Sequence, residues 1–367
     1  MRVAIVGTRG IPASYSGFET SVQETAVRFV RAGIETIVYC RQKQSAESPA
    51  EYQGVKLRYL PSFKTKHLET ITHTTLSVLS TVFSKVDAVI LYGLGNSIFL
   101  LVYRAFSIPV VAVVDGADWE RMKWGRFAKW YLRMNRRFAV RLSSSYVVDN
   151  ELLCSRYREE FGRAPAYIPY GANSTFEYSR EPLVRWRLEA KKYIIFVGRF
   201  VKEKGIDFLI SNFEKTPTET KLVIVGGNDT DKAYETSLRE TKDPRIIFTG
   251  FLYGNEYESL LRDALFYVSC SLLEGTSPSL LSAMTVNGFA LVSDLDENRE
   301  VLKGTCGVFK AGNGEDFQKK LLHFLSNEPL IEKERSRTRS VVEKYYSWDK
   351  ITDQYVDLLK MAIGKNH

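Results

Sequence analysis

The chain has 367 residues, 44% of them hydrophobic and 26% charged, which is long enough for two domains with ordinary cores and excludes a disordered or fibrous protein. Its four cysteines, Cys40, Cys154, Cys270 and Cys306, stand far apart without paired spacing, so neither a disulfide framework nor a zinc site is suggested and a reducing cytosol fits. The net charge of +8 is unevenly spread: residues 1–173 carry 23 Lys and Arg against 14 Asp and Glu (+9), and residues 174–367 carry 28 against 29 (−1).

The chain starts directly on a strand, Met1-Arg2-Val3-Ala4-Ile5-Val6-Gly7, without the charged and apolar regions of a signal peptide. Predicted strands follow at Arg2–Val6, Glu35–Cys40, Ala88–Tyr92, Val110–Val114 and Ser145–Val148, each separated by a helical pattern. The first turn, Gly7-Thr8-Arg9-Gly10-Ile11-Pro12, lacks the tight glycine spacing of a dinucleotide fingerprint, and it runs on to Gly17-Phe18-Glu19-Thr20 at a helix start. The apolar run from Ile98 to Val114 is cut by Arg104 and Pro109 and falls short of the ~20 residues of a membrane span. It reads as a buried helix followed by a buried strand.

Behind the fourth strand, Asp115-Gly116-Ala117-Asp118-Trp119-Glu120 brings acids to the strand's carboxyl end. Asp115 is a candidate for orienting a sugar or accepting a hydroxyl proton, or else an N-cap for the next helix. Residues 121–141 then hold eight Lys and Arg and no acid, interleaved with aromatics. Arg126, Lys129, Trp130, Arg133 and Arg137 are the candidates for contact with an anionic membrane surface; the alternative is a solvated helix whose aromatics face the core. Nucleic acid is not indicated, since no recognition motif accompanies the charge.

A turn-like cluster, Tyr167-Ile168-Pro169-Tyr170-Gly171-Ala172-Asn173, marks a domain break. A second strand series follows at Tyr193–Val197, Lys221–Val225, Arg245–Thr249, Leu265–Ser269 and Ala290–Ser293. Short apolar strands alternating with crossover helices predict an α/β fold of two doubly wound parallel-sheet, Rossmann-like domains. The expected organisation is 1–173, 174–345, and a C-terminal helix within 346–367.

The strand Tyr193–Val197 runs into Gly198-Arg199-Phe200-Val201-Lys202-Glu203-Lys204-Gly205 and then a helix, which sets Arg199 and Lys204 beside a helix N-terminus as a diphosphate site. Some 70 residues on, Glu274-Gly275-Thr276-Ser277-Pro278-Ser279 opens another helix, with Ser277 as N-cap and Pro278 as its first residue. This pairing resembles retaining nucleotide-sugar glycosyltransferases of the GT-B, GT4-like (glycosyl transferases group 1) kind. That family also holds sucrose and glycogen synthases and phosphatidylinositol mannosyltransferases. The first turn and the Asp115-Gly-x-x-Trp119 pattern look closest to bacterial rhamnosyltransferase-like members of surface polysaccharide assembly.

The resemblance implies two domains facing across a cleft, a C-terminal helix in 346–367 that crosses back to the first domain, and transfer of a sugar from a nucleotide diphosphate donor, with retention, to a lipid-linked saccharide acceptor in capsule, O-antigen or exopolysaccharide synthesis. It implies Arg199, Lys204, Glu274 and Asp115 as catalytic, and Gly17, Gly198, Gly250, Phe251, Gly275, Thr276, Ser277 and Ser282 as donor-binding. Arg9, Glu19 and Trp119 would line the acceptor side. It also implies a cytoplasmic location, peripheral to the membrane, without cofactor or metal; none of the four histidines has ligand spacing. Ser282 departs from the family, which normally carries a second glutamate there to clamp the ribose. Weaker nucleotide affinity, a dTDP-sugar rather than a UDP-sugar donor, and a silent binding subunit all remain open. A nucleotide-sugar epimerase is a further alternative whose carboxylate and histidine set has no evident place in the sequence.

Overall fold

The computed structural model describes residues 1–13, 17–42, 48–63, 68–114, 125–172, 177–228 and 231–364. They form two compact units, Met1–Tyr170 with Trp348–His367, and Gly171–Ser347.

The first unit runs β1 (Arg2–Val6), α1 (Gly17–Arg31), β2 (Glu35–Arg41), β3 (Glu51–Tyr52), β4 (Val55–Leu60), α2 (Leu68–Val82), β5 (Ala88–Tyr92), α3 (Leu100–Ala105), β6 (Val110–Val113), α4 (Arg126–Leu142), β7 (Ser145–Val148), α5 (Glu151–Phe161) and β8 (Ala166–Tyr167). Its sheet has the order β3-β4-β2-β1-β5-β6-β7-β8. Apart from the antiparallel β3–β4 hairpin, every pairing is parallel. Strands this apolar are explained by cover on both faces. Val3 and Ile5 of β1 enter one core cluster, and Ala4 and Val6 enter the other.

The second unit runs α6 (Glu181–Arg185), β9 (Tyr193–Val197), α7 (Ile206–Glu214), β10 (Lys221–Val225), α8 (Lys232–Leu238), β11 (Ile246–Gly250), α9 (Gly254–Asp263), β12 (Tyr267–Ser269), α10 (Pro278–Val286), β13 (Ala290–Ser293), α11 (Asp296–Leu302), β14 (Gly307–Phe309), α12 (Gly314–Leu325) and α13 (Glu328–Tyr345). Its six strands are ordered β11-β10-β9-β12-β13-β14, all parallel. The last helix, α14 (Trp348–Gly364), rejoins the first unit, where Trp348, Ile351, Tyr355, Leu359 and Ala362 are buried in the same core cluster as Val22 and Phe29 of α1.

Four strands lie outside the ten predicted. β3 and β4 form a hairpin over Gln53 (φ 48°) and Gly54 (φ 84°), a turn with two left-handed residues that suits strand twist. β8 and β14 are two and three residues long, below what periodicity detects. The apolar run from Ile98 also differs from its reading as a buried helix: Leu100 and Tyr103 of α3 face the core, but Leu101 and Phe106 are 48% and 56% exposed.

Candidate functional site

In an open parallel sheet, ligands sit beyond the strands' carboxyl ends, where chain order reverses. In the second unit the chain moves outward from β9 to β10 and β11, then returns to the other side of β9 with β12. The switch point therefore lies between β9 and β12. The loops leaving those two strands are the ones that carry Arg199, Lys204 and Glu274.

The two loops are locked together. Gly205 has φ +60°, and a Cβ there would stand 2.2 Å from the backbone oxygen of Cys270, so only glycine lets the loops touch. Across the contact Leu272 donates its N–H to the carbonyl of Glu203 at 2.8 Å. This docking brings Lys204 Nζ to 2.5 Å from Glu274 Oε2, which also accepts from the Ser271 hydroxyl at 2.9 Å. Both partners are shielded, with side chains 17% and 11% exposed. Arg199 is exposed, and no described residue forms an ion pair with it.

The nine-residue helix α10 points its N-terminus at the same corner. Ser277 is its N-cap, accepting from the Leu280 N–H, with Pro278 in the first turn. Thr276 and Ser277 are buried, and Gly275 is half-buried. A hydroxyl series, Tyr267 to Ser279 and Ser279 to Ser277, each step 3.2 Å, lines this end. Burial pushes the Tyr267 phenol up, and the Glu274 charge adds to that shift. The corner therefore combines a cation, oriented hydroxyls and the N-terminal end of a helix, which suits an anionic diphosphate.

The sugar and base positions of the sequence reading fall on neighbouring strand ends. Gly198 and Gly250 close β9 and β11. The Phe251 ring lies against Gly227, where a Cβ would approach it to 2.8 Å, and stacks parallel to Tyr253 with centroids 6.2 Å apart. Tyr253 is 53% exposed and offers a flat aromatic face. Ser282, on the second turn of α10, lies beside Tyr257 of α9, whose phenol is pushed up by burial and drawn partly back by the Ser282 side chain. Tyr253, Tyr257 and Ser271 were not singled out from the sequence, because α9 and the β12 end approach the corner only in the folded unit.

In the first unit the corresponding switch point is between β1 and β5. Gly7 and Gly10 have φ +100° and +104°, and a Cβ on either would collide with Tyr92 O at 2.3 Å or Cys40 Sγ at 2.5 Å. These glycines serve contact with β5 and β2. Gly17 begins α1, and Glu19, in its first turn, is buried and accepts the Arg9 N–H at 3.1 Å. Its other oxygen makes no hydrogen bond to a described residue. Nearby, Arg41 pairs with Glu69 at 3.0 Å, and its charge interacts with Arg9 and Glu19. His73 lies fully buried beside this pair, its pKa held down by burial. Arg41 was not singled out from the sequence, and His73 was weighed there only as a metal ligand, because β2 and α2 carry no motif there. Asp115 and Trp119 lie outside the described residues.

The basic helix α4 has Arg126, Arg133 and Arg137 exposed and Lys129 half-buried. Phe127 and Trp130 point outward, while Leu132 is buried and the Tyr131 hydroxyl donates to Gly95 O at 2.8 Å. Among the described residues no group of three His, Cys, Asp or Glu is placed to hold a metal ion, and no helix is long and apolar enough to cross a membrane.

Residues 184–341 match the family model described as glycosyl transferases group 1. The second unit carries a glycosyl transferases group 1 domain. Residues 1–173 match a domain of unknown function, DUF1972. Two Methanocaldococcus jannaschii proteins described as uncharacterized glycosyltransferases are similar: MJ1607 is 28% identical over 47% of this chain and 46% of its own length, and MJ1178 is 22% identical over 68% of each. The chain thus spans about half the length of the first of these relatives. Among solved structures, sucrose-phosphate synthase from Thermosynechococcus elongatus superposes with TM-score 0.84 at 15% identity, covering 99% of both chains. Anabaena HepE, solved with UDP and glucose, superposes with TM-score 0.80 at 12% identity, covering 98% of this chain and 99% of that one. The fold is that of the GT-B glycosyltransferases, with the group 1 domain as its second unit.

Proposed function

We propose that the chain is a glycosyltransferase that takes a sugar from a nucleotide diphosphate donor held by the group 1 domain. The observation that carries this is the Lys204–Glu274 pair, fixed between the β9 and β12 loops at the domain's switch point, with exposed Arg199 on the same β9 loop. Lys204 and Arg199 bind the diphosphate and stabilise the charge that grows on it as the glycosidic bond breaks. Glu274, released from Lys204 by the phosphate, accepts hydroxyls of the transferred sugar.

The transfer proceeds with retention. The anomeric C–O bond to the diphosphate breaks, the acceptor hydroxyl oxygen bonds to the same face, and its proton passes to the departing phosphate oxygen. The two cations supply the electrostatic work that a metal ion would otherwise do. The donor is a dTDP- or UDP-sugar, rhamnose being the sugar favoured by the first-turn resemblance. UDP fits the complex seen in HepE. A deoxyribose fits Ser282, which offers the pentose no carboxylate. The acceptor is a lipid-linked saccharide of surface polysaccharide assembly at the cytoplasmic membrane face.

A thermal-shift titration against UDP, dTDP, GDP, ADP and CMP tests the donor, since a ligand at ~100 times its Kd stabilises by about 2.7 kcal/mol. One nucleotide should stand out, and its sugar should then be transferred, with the product anomer read by NMR. Stabilisation by none of them favours the silent binding subunit.

A further inference from the structure

We propose that the outer surface of the α2–α3–α4 layer is a docking face for an anionic lipid bilayer. The three helices cover the same face of the first unit's sheet. Val78 of α2, Leu100 and Tyr103 of α3, and Leu132, Ala139 and Val140 of α4 all enter one core cluster with Ala4, Val6, Val89 and Leu91. Their opposite sides therefore point away from the sheet together, and that side is unusually apolar. On α2 and its end, Leu76, Leu79 and Phe83 are 38%, 50% and 79% exposed. At α3, Leu101 and Phe106 are exposed, and on α4 Phe127 and Trp130 are 77% and 57% exposed with ring centroids 5.7 Å apart. Large apolar side chains spread over three adjacent helices mark an interaction site rather than the scattered exposure of an ordinary surface.

Charge identifies the occupant. Residues 68–114 and 125–142 carry Lys85, Arg104, Arg126, Lys129, Arg133, Arg136, Arg137 and Arg141 against only Glu69 and Asp87. Both acids are engaged, Glu69 with Arg41 at 3.0 Å and Asp87 with the Arg2 N–H at 2.6 Å. Arg136 is buried against Glu160 and Tyr157 and takes no part. The remaining cations lie on or just beyond the same helices as the exposed aromatic and aliphatic side chains, a combination that suits a headgroup layer with rings at the acyl boundary. Helix α4 alone supplies only two aromatics and a row of arginines. The apolar area that holds the face in lipid comes mainly from α2 and α3, where the sequence shows no basic signal.

The test is co-sedimentation of the full chain with vesicles of phosphatidylcholine alone and of phosphatidylcholine with phosphatidylglycerol. Binding is expected only to the second, weakening with salt. The double variant Arg133→Gln/Arg137→Gln should bind about 25-fold more weakly, at ~fivefold for each cation near an anionic surface. The decisive variant is Leu79→Ser/Phe83→Ser, on α2 and just past its end, which removes exposed side chains distant in sequence from the basic helix and should lower binding by about tenfold or more. Circular dichroism confirms that each variant folds, and nucleotide titration reads the donor site separately. Undiminished binding by the α2 variant, or no binding of the unaltered chain to either vesicle, overturns the proposal. So does a vesicle-free dimer by light scattering that the same α2 substitutions abolish.

Discussion

Lys204 pairs with Glu274 and, on the proposed mechanism, meets a second anion on donor binding. At 2.5 Å from Glu274 and largely shielded, it is already oriented toward the corner where a diphosphate would arrive. Replacing Lys204 or Arg199 with alanine should lower kcat by about 10²–10³, the usual cost of losing a donor that stabilises developing charge. Steady-state transfer assays check this, and full turnover by both variants would refute the assigned roles. Ser282→Glu should tighten UDP about tenfold and dTDP less, because a carboxylate can accept from both ribose hydroxyls. Calorimetry that finds both nucleotides equally affected would place Ser282 away from the pentose. His73 gives a pH-dependent expectation. Burial keeps its pKa below 6.5, so the unfolded chain binds the proton more readily than the native one, and stability should rise with pH up to about that value and level off above it. Urea midpoints from acid to neutral pH should show a shallower rise in His73→Gln; an unchanged slope would show that other groups set it.

At the level of elements, the contact between the β9 and β12 loops sets the geometry of the corner. Ser277→Ala removes only a cap of α10 and should cost about 1 kcal/mol. Gly205→Ala must displace the Cys270 carbonyl and strain a left-handed backbone, so a cost of more than ~2 kcal/mol and loss of nucleotide binding are expected together. If Gly205→Ala proves no worse than Ser277→Ala by denaturant unfolding, the close loop contact is not what holds the corner. Much of this corner was legible in the sequence, because strand, glycine turn and N-cap are local signals. Tyr257 and Tyr253 were not, since their place depends on how α9 packs against α10 and on the strand ends. The β3–β4 hairpin was also hidden, because Val55-Lys56-Leu57-Arg58 alternates, one strand in from the sheet edge, rather than forming a continuous apolar run. The outer face of α2 illustrates a further limit: periodicity marks a helix with apolar positions but does not say which of them turn to solvent.

For the whole molecule, the first unit is discontinuous in sequence, because its core is completed by the chain's last helix. Trp348, Ile351, Tyr355, Leu359 and Ala362 are all buried there, and Arg28 of α1 reaches Asp349 at 2.7 Å. Burying the four large side chains is worth roughly 6–12 kcal/mol at 1.5–3 kcal/mol each. That is comparable with the entire stability of a domain, about 5–15 kcal/mol. A chain ending at Ser347 should therefore lose the fold of its first unit, while residues 171–347, which hold their own core and an uninterrupted six-stranded sheet, should fold alone and retain nucleotide binding. Supplying residues 348–367 through a flexible linker after Tyr170 should restore a folded first unit, because α14 is then again close at hand. Thermal unfolding and limited proteolysis of the three proteins distinguish the cases. A cooperative transition and protease resistance in residues 1–170 alone would show that α14 is dispensable and that its buried face adds stability without completing the core.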